Sequence, residues 1–283
     1  MTSRVHLVYG TAWKKDETAR LVQMAIRNGF RHVDTACQPK HYNEPGVGQG
    51  WTKAASELGL KRTDLYLQTK FTSLNGQDPN RIPYDENASI EEQIKESLQV
   101  SLNNLQTTYL DALVLHSPYP AMEDTIKAWK TMETFVDDGK VKALGISNIY
   151  NFANLEALFE EARIKPSVVQ NRFYEDSNFD IEIRAFCREH AIRYQSFWTL
   201  TANRDALATP EIRALALSKR LTPQTLMYAF MMTLGHTPLD GTTSEDHMIE
   251  DIEVMKRILS GEEILSPSEM QTMSEILGMS RLI

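Results

Sequence analysis

Short runs of β-branched and aliphatic residues alternate with longer amphipathic segments eight times along the chain. That alternation predicts a single-domain (β/α)8 TIM barrel of the α/β class. Two further observations agree. The length, 283 residues, is close to the roughly 250 that such a barrel takes. No composition break or Gly/Ser/Pro-rich linker interrupts the pattern, so residues 1–283 read as one domain, with a short C-terminal tail after about residue 260.

Taken in order, a strand at 7–9 ends at Gly10-Thr11, and a helix at 16–27 is stopped by Asn28-Gly29. A second strand, 31–33, halts on Asp34 and enters a polar loop with Pro39, His41 and Tyr42 before a helix at 44–58. The third strand, 65–69, ends at Lys70. A long Gly- and Pro-bearing loop then leads to a helix at 89–105. The fourth strand, 112–115, ends at His116 and is broken by Pro118 and Pro120, with a helix at 122–137 stopping at Gly139. Strands at 141–146, 167–169 and 192–194 follow, separated by helices at 152–162 and 179–189. Helical stretches at 210–219 and from Thr222-Pro223 precede a short strand, 236–239, a helix at 244–259 and a last helix near 268–277.

The competing architecture is an open doubly wound sheet, which wants a Gly-rich turn after the first strand. Gly10-Thr11-Ala12-Trp13 holds one glycine. The GVGQG run, Gly46 to Gly50, falls at the start of a helix, long after the second strand, and lacks the G-x-G-x-x-G spacing, so it is discounted as a phosphate cradle.

A net charge of -8 argues against nucleic acid or an anionic membrane as the main partner. No apolar run reaches the roughly 20 residues of a membrane span, and MTSRVHLVYG lacks the apolar core of a signal peptide. Two cysteines, Cys37 and Cys187, suit a reduced, cytoplasmic setting, in which the Asn87-Ala88-Ser89 sequon is silent. No His/Cys cluster has metal-ligand spacing, so no metal is expected. Met227, Met231 and Met232 lie at helical spacing and read as core.

In a barrel the residues just past the C-terminal strand ends converge on the face that carries the active site. Here they are Asp34, Lys70, His116, Ser147-Asn148, Gln170-Asn171, Gln195-Ser196 and residues 241–244, nearly all polar. Alone, each has a plainer reading. Asp34 reads equally well as a turn acceptor, Lys70 as a solvated lysine, His116 as a satisfied strand-end histidine and Ser147-Asn148 as a helix cap. Their joint placement favours a site.

The motifs DTA…YNE (Asp34, Tyr42), TK (Thr69-Lys70), LH (Leu115-His116), GISN (Gly145 to Asn148), QN (Gln170-Asn171) and GTTSEDH (Gly241 to His247) together resemble those of the aldo-keto reductases. The resemblance runs from Gly10 to about Met255. It implies reduction of aldehydes or ketones by hydride transfer from NAD(P)H. Its four catalytic positions fall on Asp34, Tyr42, Lys70 and His116. Tyr42 would be the proton donor, its phenol pKa lowered by Lys70, which Asp34 keeps charged; His116 would orient and polarise the substrate oxygen. The implied cofactor contacts are Ser147, Asn148, Gln170 and Gln195 at the nicotinamide; Ser196, Trp198 and Leu200 toward the pyrophosphate; and Thr242, Thr243, Ser244, His247 and Glu250 at the adenosine end. Trp13 and Ser117 would line the substrate pocket. NADP(H) is the expected cofactor, with NAD(H) usable as well. The expected partner is a small carbonyl compound, and the expected state a monomer or weak dimer.

Several positions depart from the family pattern. The CQPKH insertion lengthens the Asp-to-Tyr gap and sets His41 beside Tyr42; the local YNE motif selects Tyr42. Gln195 stands where many members stack a tyrosine, with Phe197 or Trp198 as substitutes. Ser117 replaces a common tryptophan, and Gly241 and His247 replace the usual cations for a 2′-phosphate. A cofactor-binding regulatory protein of weak activity is therefore the alternative to an enzyme. A barrel hydrolase using Asp34 and His116 is the third reading.

Overall fold

The computed structural model describes residues 7–279. Eight parallel strands run in chain order as a closed barrel: β1 (Val8–Gly10), β2 (His32–Asp34), β3 (Tyr66–Phe71), β4 (Ala112–Leu115), β5 (Leu144–Ser147), β6 (Val168–Arg172), β7 (Arg193–Phe197) and β8 (Thr237–Asp240). The helices between and after them are α1 (Thr18–Arg27), α2 (Glu44–Leu58), α3 (Ile90–Asn104), α4 (Met122–Asp137), α5 (Phe152–Glu161), α6 (Ile181–Glu189), α7 (Arg204–Leu207), α8 (Pro210–Ser218), α9 (Pro223–Thr233), α10 (Glu245–Leu259) and α11 (Pro267–Leu277). Contacts cluster into two compact units, Tyr9–Gln170 and the pair of segments Met1–Val8 and Asn171–Ile283.

In the Tyr9–Gln170 unit, β1 to β6 pair in parallel succession. Asp34 lies opposite Gln68, and Ser147 opposite Gln170. The core is aliphatic, with Val33, Leu67, Val114 and Ile146 each almost fully buried on consecutive strands. Helices begin on short polar side chains that accept an orphan N–H: Asn43 from Gly46, Ser89 from Glu92 and Asn151 from Asn154. The GVGQG glycines prove to be packing residues of α2. A Cβ on Gly48 would stand 2.1 Å from the Asn104 carbonyl oxygen, and one on Gly50 would stand 2.6 Å from that of Ala19. Glycine is thus what lets α2 lie against α1 on one side and the end of α3 on the other.

In the Asn171–Ile283 unit, β7 pairs with β8, and α8, α9, α10 and α11 are capped by Thr209, Thr222, Ser244 and Ser266. Met227, Met231 and Met232 are buried, as their spacing suggested. The helix expected from residue 179 begins two residues later, at Ile181. Asn178, Phe179 and Asp180 are all left-handed, with φ of 49°, 51° and 53°. That strained run is braced by Asp180, whose carboxylate accepts from Asn171 Nδ2 (2.8 Å) and the Tyr194 hydroxyl (2.9 Å), and by buried Arg184, whose Nε donates to the Phe179 carbonyl. No helix among the described residues is long and apolar enough to cross a membrane.

Candidate active site

Strand alternation puts residues i and i+2 on one face. Gln68 and Lys70 of β3 therefore point the same way, and both reach the Asp34 carboxylate at the end of β2. Oδ2 accepts from Lys70 Nζ at 2.5 Å; Oδ1 accepts from Gln68 Nε2 at 2.7 Å and from Gln170 Nε2 at 3.0 Å. Lys70 also donates to the Thr35 carbonyl at 2.9 Å. All four side chains are essentially inaccessible. A buried ion pair is tolerated only when its remaining lone pairs and protons are satisfied, and these contacts do that. Burial opposes the Lys70 ammonium, but Asp34 and then Tyr42 outweigh it, so the lysine pKa lies above its ordinary value.

Tyr42 sits near the end of the loop that leaves β2. Both ends of that loop are pinned. Cys37 N–H donates to the Lys70 carbonyl. Two residues past Tyr42, the buried carboxylate of Glu44 accepts from Thr69 Oγ1 (2.5 Å), Ser101 Oγ (3.0 Å) and Asn104 Nδ2 (3.2 Å). Lys70 Nζ stands 5.2 Å from the Tyr42 ring centre, and the His116 ring meets it edge-on with centres 6.0 Å apart. The His41 ring packs against the Trp13 indole, tilted by 37° with centres 3.9 Å apart; the Trp13 backbone N–H donates to the His41 carbonyl at 2.7 Å. Of the two neighbours, then, the phenol lies with Lys70 and His116.

The expected net lowering of the phenol pKa is not what this environment gives. Burial raises the Tyr42 pKa, Lys70 lowers it and Asp34 raises it again; the balance is upward. Asp34 neutralises much of the ammonium's pull, and desolvation of a phenolate outweighs the rest. The group is held as a protonated phenol.

His116 follows β4, half-buried. Burial, followed by the charges of Lys70 and His41, brings its pKa down to about 3, so the ring is neutral at neutral pH. Its Nδ1 is 2.6 Å from Thr72 Oγ1. Its carbonyl accepts from Asn148 Nδ2 and from Ser117 Oγ, both at 2.8 Å. Ser147-Asn148 is not the cap of α5; Asn151 has that role. Ser147 Oγ instead donates to the Gln170 carbonyl at 2.6 Å, and Asn148 takes a left-handed turn with φ of 55°. Ser147 and Gln170 are buried, whereas Asn148 keeps part of its surface open. Primary amides and a hydroxyl together offer donors and acceptors, the complement of a carboxamide edge. Of the three, Asn148 is the one with open surface from which such an edge could be met.

In the other unit, Gln195 and Ser196 lie within β7, fully buried, and Ser196 Oγ accepts from Thr199 Oγ1 at 2.8 Å. Trp198 is 46% exposed, left-handed at φ 54°, with the Arg172 guanidinium 4.2 Å from its ring centre. Leu200 is half-buried. After β8, Asp240 Oδ1 accepts the Thr242 N–H (2.8 Å), Thr242 Oγ1 accepts the Ser244 N–H (3.2 Å), and Ser244 caps α10. Thr243, His247 and Glu250 are exposed. Burial leaves both thiols inert: the Cys37 and Cys187 pKa values are pushed well above the ordinary range.

Three residues here were not singled out from sequence. Gln68 was inside the strand as read, and strand alternation from Lys70 would have found it. Thr72 lies two further on the same alternation. Glu44 was visible as the last letter of YNE, but its role depends on contacts to residues far along the chain.

The family model described as the aldo/keto reductase family matches residues 6–270. The chain belongs to that family. Among curated relatives, the glyoxal reductase of Bacillus subtilis (strain 168) is 26% identical over 249 residues, 88% of this chain and 82% of that protein. The methylglyoxal reductase DkgA of Yersinia pestis is 26% identical over 251 residues, again 88% and 82%. The crystal structure of an aldo/keto reductase from Brucella melitensis shares the fold, with a TM-score of 0.78 at 23% identity over 96% of this chain and 94% of that one.

Proposed function

We propose that this aldo/keto reductase reduces small aldehydes or ketones to alcohols, with Tyr42 donating the proton. The observation that carries the reading is the grouping of Tyr42 with the buried Lys70–Asp34 pair and a neutral His116. A reduced nicotinamide, when bound, supplies the hydride to the carbonyl carbon. Everything else falls to the chain's own side chains. Asn148, with Ser147 and Gln170 behind it, would hold the carboxamide edge. In the other unit, Ser196, Trp198 and Leu200 would hold the pyrophosphate, and residues 242–244 with His247 and Glu250 the adenosine end. Trp198 has exposed ring surface to offer, whereas Gln195 has none.

As negative charge builds on the carbonyl oxygen, Tyr42 O–H donates to it, and Lys70 stabilises the phenolate left behind. A pKa held upward keeps the phenol protonated over the whole neutral range, which suits reduction and makes oxidation an alkaline reaction. His116 acts as a neutral donor. In the tautomer in which Thr72 Oγ1 donates to Nδ1, the ring proton would sit on Nε2 and could hydrogen-bond the substrate oxygen. Trp13 and Ser117 would line the substrate side.

The test is loss of reduced-nicotinamide absorbance with NADPH and NADH against a panel of aldehydes and ketones, for the native chain and Tyr42→Phe. Turnover by the native chain that falls about 10²–10⁴-fold in the variant is the expected result. Undiminished turnover in Tyr42→Phe refutes the proton-donor role. Cofactor binding without turnover on any substrate returns the regulatory reading.

A further inference from the structure

A cavity of about 570 Å³ has Tyr42 in its wall, entirely within the Tyr9–Gln170 unit. That volume suits a small organic molecule. Five parts of the chain build it: the loops after β1, β2 and β3, the start of α2 and the face of α3. Two of its features bear on what it takes.

The first is Trp13. It is 58% exposed, and its backbone is left-handed at φ 64°, a costly conformation for a bulky residue. The strain is held by the hydrogen bond to the His41 carbonyl and the packing against the His41 ring. A large indole is thus kept in the open at the wall of the cavity, where it offers a flat apolar surface.

The second is charge. Three cations line the cavity, Lys15, Lys40 and Arg81, in a chain whose net charge is -8. Two carboxylates oppose them. Glu44 is buried and already accepts from Thr69, Ser101 and Asn104. Asp16 is exposed and adjacent in sequence to Lys15, which offsets it. Lys40 is two residues before Tyr42. Arg81 is steadied by Asp78, which accepts from its Nε at 3.0 Å and also contacts Nη2; a guanidinium has five donors, so others remain.

We infer that the carbonyl substrates of this chain carry a carboxylate, bound by Lys40 and Arg81 while the apolar body lies along Trp13. The inference rests on the proposed reductase activity and deepens it by naming a substrate class.

The experiment compares 4-formylbenzoate with its methyl ester, which has the same aldehyde and ring but no charge, using the purified chain and NADPH. At low salt the acid should exceed the ester in kcat/KM by at least tenfold, mostly through KM, and the ratio should shrink as salt rises. In Lys40→Gln/Arg81→Gln the ratio should fall to near one, and in Asp16→Asn it should grow. A native ratio near one, or a ratio unmoved by the double substitution, overturns the inference while leaving carbonyl reduction intact. If neither aldehyde is reduced, the reductase reading is judged separately on the wider carbonyl panel, and calorimetric titration with the same two compounds decides the site. Acid bound at least tenfold more tightly than ester, with the difference lost in the double variant, supports it; equal binding or none overturns it.

Discussion

Replacing Asp34 with asparagine preserves shape and removes one charge, so its effect follows from counting donors. In the native chain Oδ2 accepts from Lys70, and Oδ1 accepts from both Gln68 and Gln170. An asparagine offers one acceptor oxygen and one NH₂. With the oxygen toward the glutamines, the NH₂ faces an ammonium. With the oxygen toward Lys70, the NH₂ faces two amide donors, which must then flip away from their present partners. No orientation satisfies all three donors, and with the oxygen toward the glutamines the lysine charge stays buried with the Thr35 carbonyl and the Tyr42 hydroxyl as its remaining partners. Breaking a buried pair by removing one partner costs about 3–5 kcal/mol. Urea unfolding of Asp34→Asn should show a loss in that range, with the urea dependence of stability unchanged. Lys70, now governed by burial, should lose part of its charge. Turnover should be weakened yet measurable, since Asp34 acts on the reaction only through Lys70, whereas Lys70→Met should abolish it. A destabilisation below about 1 kcal/mol, or an Asp34→Asn enzyme slower than a folded Lys70→Met, would refute this account of the buried pair.

Thr72→Val removes the hydroxyl beside His116 Nδ1 and frees the imidazole tautomer; turnover should drop about tenfold or more with cofactor affinity unchanged, and an unaltered rate would place the ring proton by other means. Gly48→Ala forces a Cβ onto the Asn104 carbonyl oxygen and should cost about 1–3 kcal/mol in chemical denaturation, where Gly59→Ala, with open space around it, suffers only its left-handed backbone. His116 and His236 both have folded pKa values brought down to about 3 by burial. A depressed pKa gives stability that is complete above the unfolded value near 6.5 and is lost as pH falls toward 3, so unfolding at pH 5 against pH 7.5 should show a loss of about 2 kcal/mol per histidine; a pH-independent midpoint over that window would contradict it. In the last cofactor loop Gly241 and His247 supply no permanent cation, so NADPH should be preferred to NADH by only a modest factor, and a preference above about a thousandfold, roughly 4 kcal/mol, would require a cation elsewhere.

The barrel was legible because its buried strands carry continuous aliphatic runs and most of its helices begin on Asn, Ser or Thr; β4, α2 and α4 fall where the pattern puts them, although α4 starts on Ala121 without a side-chain cap. Strand ends were less legible. Hydrophobic reading stopped β3 at Thr69, β6 at Val169 and β7 at Tyr194, yet the strands continue through Lys70 to Phe71, through Gln170 to Arg172 and through Gln195 to Phe197. The α6 start was misread because three left-handed residues precede it, held by Asp180 and Arg184 contacts that no local signal announces. The four-residue α7 is too short to show a period. Spacing and position alone set the glycines of α2 aside as a phosphate cradle, but that they serve close approach to Asn104 and Ala19 depends on contacts no local signal announces.

These misread strand ends and the candidate site have one cause. A polar side chain at the top of a barrel strand breaks the apolar run, so pattern reading takes it for loop; it remains tolerable in the strand only if another strand supplies its partner. Asp34 is that partner for Gln68 and Lys70 on β3 and for Gln170 on β6. Each polar residue is unfavourable alone and satisfied by the set, which is why single positions read as turn or surface and the group reads as a site. The same dependence sets the mutational expectation. Substitutions of Gln68 or Gln170 should act on Asp34 and, through it, on Lys70, and their effects should not add, because the three donors share one carboxylate.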